Sequence, residues 1–281
     1  MSVYQDKPKD TEDKCMKKLL AIAVMVVIGA SCLCGNAVSS KDATYCDDGI
    51  MLLAETNSVV VNYENKSENT FSMALKHPSY SFSANPADCA CVAGTNVLGF
   101  YDRYDEELIP NHNSGTLFMG KYIYSSQDTA VYDVIRQLYV DMGTDSEGTT
   151  VQEFKNGMIT YCNRKGKTIT FTSCMKNGKF DYSLAKSYNE ANQPVVLFCS
   201  GYNVAEIDPY NQYDLISYYE ATANHVMVGF GYKEISYTLA NSTKITYQYM
   251  AVASGVQTKS SGYFDINYKT NINDAYALNI Y

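Results

Sequence analysis

The chain has 281 residues, enough for one large hydrophobic core or two small ones. Its formal net charge is -8 and its isoelectric point is near 4.9, which argues against a nucleic-acid partner and against an anionic membrane surface. The chain has 3 His, none at ligand spacing to a cysteine pair, so we predict no metal site and no cofactor.

Residues 1–37 have the pattern of a secretory signal peptide. Lysines precede an apolar run from Leu19 to Ile28, and small residues then lead to Ala37. The run is short for a membrane span, so no stable membrane span is expected once the signal is removed. We therefore expect cleavage after Ala37 and a secreted or cell-surface protein.

Two features of this N-terminal region leave alternatives open. Met16 begins a more typical signal, so residues 1–15 would then be an upstream extension. Lipidation at Cys32 competes with cleavage after residue 37, although a Gly stands where a lipobox has a Leu-like residue. A short, polar N-terminal lead over residues 38–76 would follow the signal.

Three helices are predicted ahead of the C-terminal strands. Within the lead, residues 59–61 predict a short strand and residues 63–70 a polar turn. An apolar stripe at near-helical spacing after Cys89 predicts a buried helix that begins at or beside this cysteine. Amphipathic spacing predicts a second helix over 130–142, and a capping signal predicts a third over about 150–162.

The C-terminal half is typical of strands joined by turns. Apolar and β-branched runs bounded by Gly, Pro, Asn or Ser carry this pattern. The predicted strands cover residues 168–172, 195–200, 225–232, 245–252 and 263–268. Helices first and antiparallel strands afterwards indicate an α+β fold.

The chain is too long and too rich in ordinary core residues to need a disulfide framework, although its cysteine count permits disulfides. Three of the 9 cysteines lie in the predicted signal, and an even number remains, which usually indicates disulfides. Cys162 and Cys174 are the one plausible pair, because a strand flanked by turns separates them. Cys199 lies inside an apolar run and is predicted to be a buried free thiol.

Cys89 and His225 are the candidate catalytic residues. A cysteine at a helix N-terminus lies at the positive end of the helix macrodipole, which favours the thiolate. A nucleophilic Cys on an early helix with a His on a later strand is the arrangement of cysteine proteases. His77 and His112 lie among polar residues and are predicted at the surface, and Asp88 is predicted to cap the helix.

Several segments resemble papain-like peptidases, more closely the bacterial C39-like and streptopain-type branch. That branch has a Cys followed by small residues, with a polar Asn or Gln seven residues later, here Asn96. The order and spacing of the segments carry the resemblance, which spans about residues 80–281. Its other parts are the strand before the histidine at 194–197, the histidine strand at 224–232, and closing strands at 249–254 and 262–264.

The resemblance implies a papain-like domain over 77–281, in which the Cys helix and other helices pack on a C-terminal antiparallel sheet. It implies a secreted peptidase that cleaves peptide or protein substrates through a Cys89 acyl-enzyme, with His225 as the proton shuttle. Ser254 falls at the orienting position usually held by Asn or Asp. The pattern has an oxyanion-binding Gln six residues before the nucleophile; that position is Ser here, and Asn85 nearby is the candidate donor.

Two alternatives to this assignment stay open. If Asn85 is aligned with the family's oxyanion-binding Gln, the nucleophile six residues later is Cys91. If Cys89 is the nucleophile, Asn96 and the apolar helix fall at the positions that the family pattern has. Ser254 and Asn85 match the family's orienting and oxyanion-binding residues poorly. This favours a non-catalytic surface or binding protein that retained a papain-like fold.

Overall fold

The structure is a computed structural model that describes residues 44–45, 55–81, 87–103, 107–268 and 271–281. These residues all belong to one structural unit, residues 39–281. The predicted signal peptide, its cleavage point, Cys32 and Asn85 lie outside the described residues.

The described residues form four helices, three of which start at polar caps. Asp128, Thr150 and Asp181 each accept hydrogen bonds from backbone amides of the following turn, and Thr150 forms the predicted capping box. The three predicted helices are confirmed; the fourth was not predicted. The helices are α1 (Cys89–Asp102), α2 (Thr129–Met142), α3 (Val151–Arg164) and α4 (Tyr182–Glu190).

Strands dominate the remainder of the described chain. Those before α4 are β1 (Thr44–Tyr45), β2 (Glu55–Asn62), β3 (Asn65–Ser72), β4 (Gly115–Phe118), β5 (Lys121–Tyr124), β6 (Thr149–Thr150), β7 (Ile169–Ser173), β8 (Met175–Lys176) and β9 (Lys179–Phe180). Those after α4 are β10 (Val195–Tyr210), β11 (Tyr213–Thr238), β12 (Lys244–Ala253), β13 (Ser261–Asp265) and β14 (Asn271–Ile280).

Eight of these strands form one antiparallel sheet, which confirms the predicted α+β class. Its order is β2-β11-β12-β13-β10-β14-β7, and β3 also pairs with β11. Because β10 pairs directly with β11 as well as with β13, the four strands β10 to β13 close into a ring. The great length of β10 and β11 permits this bend, and register shifts interrupt both strands.

The segment predicted as a lead contributes to this sheet. Residues 55–62 and 65–72 both pair with β11, so the prediction of a polar turn over 63–70 was wrong. The sequence of β3 is polar because most of this strand is exposed, and pairing with β11 decides its conformation. Gly231 of β11 is needed there, since a Cβ would overlap the Phe71 carbonyl.

The sheet separates two buried clusters. One contains α1, α2 and α3 side chains together with Val196, Phe198, Val226 and Val228. The other contains α4 side chains and the alternate strand residues, such as Leu197, Cys199 and Met227. Alternation over residues 195–199 of β10 and 226–228 of β11 therefore assigns successive residues to opposite clusters, whereas the outer parts of both strands contribute to a third cluster.

The cysteines within the described residues are free thiols. The proposed Cys162–Cys174 disulfide was wrong, because Cys162 lies in the α1–α3 cluster and Cys174 in the cluster across the sheet. Burial raises the pKa of each of these thiols to about 12. Cys199 is a buried free thiol, as predicted.

Candidate functional site

Helix α1 lies in the protein interior along its whole length. Its first residue, Cys89, is 1 % exposed, and the first helical hydrogen bond runs from the Val92 amide to the Asp88 carbonyl over 2.9 Å. The amides ahead of that bond, such as that of Ala90, lie at the helix N-terminus, where they can donate to an anion. Asp88 occupies the N-cap position, but its side chain makes no capping hydrogen bond.

Cys91, the alternative nucleophile, is held inside the helical layer. Its thiol lies 3.8 Å from Met142 Sδ and 3.4 Å from Thr144 Oγ1. Burial, with a smaller contribution from the Asp88 charge, raises the pKa of Cys91 to about 12. A thiol in this setting is protonated at neutral pH and is a poor nucleophile.

Asn96 ties the segment before the helix to α1. Its Oδ1 accepts from the Tyr80 amide over 2.8 Å, and its Nδ2 donates to the Tyr80 carbonyl over 3.1 Å and to the Val92 carbonyl over 3.0 Å. The side chain is fully buried, so these bonds satisfy groups that water does not reach. Asn96 therefore fixes the chain that enters the Cys89 region.

His225 lies on β11, opposite Cys199 of β10, and is fully buried. Its Nε2 lies 2.6 Å from the Ser254 carbonyl oxygen. A carbonyl only accepts, so Nε2 carries the proton and Nδ1 is the basic nitrogen of the neutral ring. Burial lowers the pKa of His225 from 6.5 to about 4, which keeps the ring neutral at pH 7.

A bulge and a stacked ring set the position of the imidazole. The Tyr202 ring stacks on His225 with centroids 4.2 Å apart and planes 23° apart. The β10–β11 register shifts between Ser200 and Tyr202, and Gly201 at the shift has φ 70°. Bulges with a left-handed glycine redirect nearby side chains, so this one places Tyr202 against the imidazole.

Ser254 contacts His225 through its main chain rather than its hydroxyl. The hydroxyl donates to the Lys259 carbonyl and accepts from the Val256 amide over 3.1 Å, so it stabilises its own loop. Gly255 follows with φ 77°, and a Cβ there would lie 3.3 Å from a Val92 methyl. This loop therefore packs against the first turns of α1.

Helix α1 and the histidine strand β11 pack together, next to the buried clusters on the two sides of the sheet. Helix α1 packs on β11, and Val226 lies in the cluster that contains Cys89. The Tyr202 ring that stacks on His225 belongs to the cluster on the other side of the sheet.

His112 forms a second histidine site that the sequence did not predict. It was expected at the surface, yet it is 4 % exposed. Its Nδ1 lies 2.7 Å from Asp128 Oδ2 and its Nε2 lies 3.1 Å from Tyr80 Oη. These two partners are distant in the sequence, so the polar residues next to His112 in the chain gave no sign of them. His77 is half-buried and stacks on Phe230, and burial lowers the pKa of His77.

Within the described ranges, no group of three His, Cys, Asp or Glu side chains is arranged to hold a metal ion. No helix in the same ranges is both long and apolar enough to cross a membrane.

Comparison with protein-family models, curated proteins and solved structures finds no significant match to this chain.

Proposed function

We propose that this chain is an exported cysteine peptidase of papain-like type, with Cys89 as nucleophile and His225 as general base. The observation that carries the proposal is the His225 tautomer. The Ser254 carbonyl holds the proton on Nε2 and leaves Nδ1 as the base, on a strand that packs against the Cys89 helix. The substrate is a peptide or protein.

The reaction follows from these roles. His225 Nδ1 takes the Cys89 thiol proton, and the thiolate attacks a peptide carbonyl. Amides at the α1 N-terminus stabilise the oxyanion, with Asn85 as the candidate side-chain donor. The imidazolium then protonates the leaving amine, and water releases the acyl group from Cys89.

Burial makes this mechanism dependent on local opening. Cys89 and His225 are 1 % and 0 % exposed, so a substrate reaches them only after neighbouring segments move. The low pKa of His225 also favours a neutral thiol–imidazole pair over a thiolate–imidazolium pair in the closed protein. The proton transfer therefore accompanies substrate binding.

The second candidate is a non-catalytic binding protein with the same fold. The placement of Tyr202 and Cys89 in clusters on opposite sides of the sheet favours it. The Ser254 hydroxyl also bonds its own loop, whereas an orienting residue would direct its side chain to the imidazole. On this reading Cys89 and His225 are buried core residues.

A matched pair of variants separates the candidates. We expect Cys89→Ala to abolish hydrolysis of a fluorogenic peptide library, and Cys91→Ala to retain it when rates are normalised to folded protein. Both remove one buried thiol from the same turn of α1, so a general packing defect affects both. Equal rates for Cys89→Ala and wild type would exclude the peptidase with this nucleophile, and loss only in Cys91→Ala would move the site by two residues.

A further inference from the structure

The hairpin formed by β4 and β5 has an apolar tip exposed to solvent. Leu117, Phe118 and Met119 are 59, 53 and 88 % exposed. Adjacent strand residues point to opposite faces, so Leu117 and Phe118 extend the apolar surface to both sides of the hairpin. A site for a folded protein partner would need one apolar face, whereas this tip is apolar all round.

The turn residue is unusual for its conformation. Met119 has φ 47° and Gly120 has φ 79°, and these left-handed angles favour Asn or Gly. The β8–β9 hairpin follows that rule with Asn177 and Gly178 at φ 51° and 72°. A solvent-exposed Met at this strained position is not explained by the fold, which indicates a role for its side chain.

The charge around the hairpin differs from that of the whole chain. Residues 69–87 and 108–127 contain no Asp or Glu, although the net charge is -8. Lys76 and Lys121 lie on the paired segments at the hairpin, and the Tyr124 amide donates to the Lys76 carbonyl over 2.8 Å. The half-buried Tyr122 lies beside Lys121. An apolar tip with Lys and Tyr at its base matches the layers of a lipid interface.

We propose that the β4–β5 hairpin is a lipid-docking tip that inserts Leu117, Phe118 and Met119 into a bilayer surface. Apolar burial drives the contact, and Lys76 and Lys121 favour anionic headgroups. The net charge argues against binding of the chain as a whole to an anionic membrane. The surface around this hairpin is an exception, because it carries lysines and its chain segments contain no Asp or Glu. The proposal is independent of the peptidase assignment, because none of its residues belongs to the Cys89–His225 site.

The absence of Trp from the chain permits a local reporter. Phe118→Trp places a single indole at the tip, and Tyr210→Trp places one at the exposed end of the β10–β11 hairpin as a matched control. Each full-length variant is titrated with vesicles of phosphatidylcholine alone and of an equal mixture with phosphatidylglycerol, with and without brominated lipid. Because the readout is the indole itself, contact by other segments of the chain does not mimic it.

We expect Phe118→Trp emission to shift to shorter wavelength and to be quenched by brominated lipid, most strongly in the anionic mixture, while Tyr210→Trp stays unchanged. Adding Leu117→Ser and Met119→Ser to Phe118→Trp should weaken vesicle binding by roughly 100-fold. No shift in either lipid would overturn the proposal. Equal shifts in both reporters, or a shift that depends on protein concentration without vesicles, would also overturn it, the latter in favour of self-association.

Discussion

The two buried histidines of this protein have opposite surroundings. His112 lies between Asp128 and Tyr80, with a polar partner at each ring nitrogen. His225 donates to a main-chain carbonyl and stacks on Tyr202, and burial lowers its pKa to about 4. Asp128, His112 and Tyr80 thus form a carboxylate–imidazole–hydroxyl arrangement that resembles a catalytic triad.

The Tyr80 hydroxyl explains why the His112 site is a poorer candidate active site than the His225 site. Burial raises the pKa of Tyr80, so its hydroxyl is a poor nucleophile. Asp128 also caps α2, and hydrogen bonds from His112 and two backbone amides hold the pKa of Asp128 below its usual value despite partial burial. His112 thereby joins α2 to the segment before α1. A histidine with a polar partner at each ring nitrogen can thus hold a fold together, whereas one whose Nε2 proton is held by a carbonyl has Nδ1 as its basic nitrogen.

The largest expected effect is on catalysis at His225. We expect His225→Ala to lower the rate of peptide hydrolysis per folded molecule by about 100-fold or more, because it removes the general base. His112→Ala, the matched control, should change that rate by less than about 10-fold, because His112 lies outside the proposed machinery. A larger rate loss in His112→Ala than in His225→Ala in the fluorogenic assay would mean that His112, and not His225, is the catalytic histidine.

The next effect is the pH dependence of stability. Folded His225 titrates near 4 and the unfolded residue near 6.5, so between these values the unfolded chain binds more protons. Stability present above pH 6.5 is therefore lost as the pH falls towards 4, by about 3 kcal/mol in all. Urea unfolding at neutral pH and at about pH 4.5 should show this loss in the wild type and a smaller one in His225→Gln. Equal losses would mean that His225 is not held neutral.

A somewhat smaller effect is expected from the His112 site. His112→Ala should lower the free energy of unfolding by about 2 kcal/mol, because it leaves the buried Tyr80 hydroxyl without this partner and removes a bond to a charged carboxylate. Tyr80→Phe, which removes only the hydroxyl, should cost less. Denaturant midpoints measure both. A midpoint unchanged in His112→Ala would show that the site adds no stability.

The smallest effect is expected at Ser254. Its carbonyl contacts His225 whatever its side chain, so Ser254→Ala should leave the hydrolysis rate per folded molecule within about twofold of the wild type. It should lower stability by about 1 kcal/mol, because the hydroxyl bonds to Lys259 and Val256 are lost. A large rate loss at unchanged stability would restore the hydroxyl as the orienting group.

Local signals made part of this structure predictable. The capping box at Thr150 and the apolar stripe after Cys89 each act within a few turns of chain, so the sequence alone indicated those helices. The strand β3 and the outer halves of β10 and β11 have polar or mixed sequences. Pairing with distant strands determines them, and no short window carries that information.

The candidate site likewise has one part that the sequence predicted and another that depends on contacts between distant residues. Register placed Ser254 beside His225, but the atom involved is a main-chain carbonyl, which every residue possesses and no sequence pattern marks. The His112 contacts join Tyr80 and Asp128, which lie far apart in the chain, and polar neighbours were taken as a sign of exposure. Partners for buried polar groups become visible only with the tertiary structure.

The most direct test of the account is the site of alkylation by iodoacetamide at neutral pH, read by peptide mapping. We expect Cys89 to react faster than Cys91 and Cys199, whose thiol pKa values burial raises. We also expect His225→Ala to slow the reaction at Cys89 alone. Uniformly slow alkylation of all three, unchanged in His225→Ala, would contradict the peptidase and favour the binding protein.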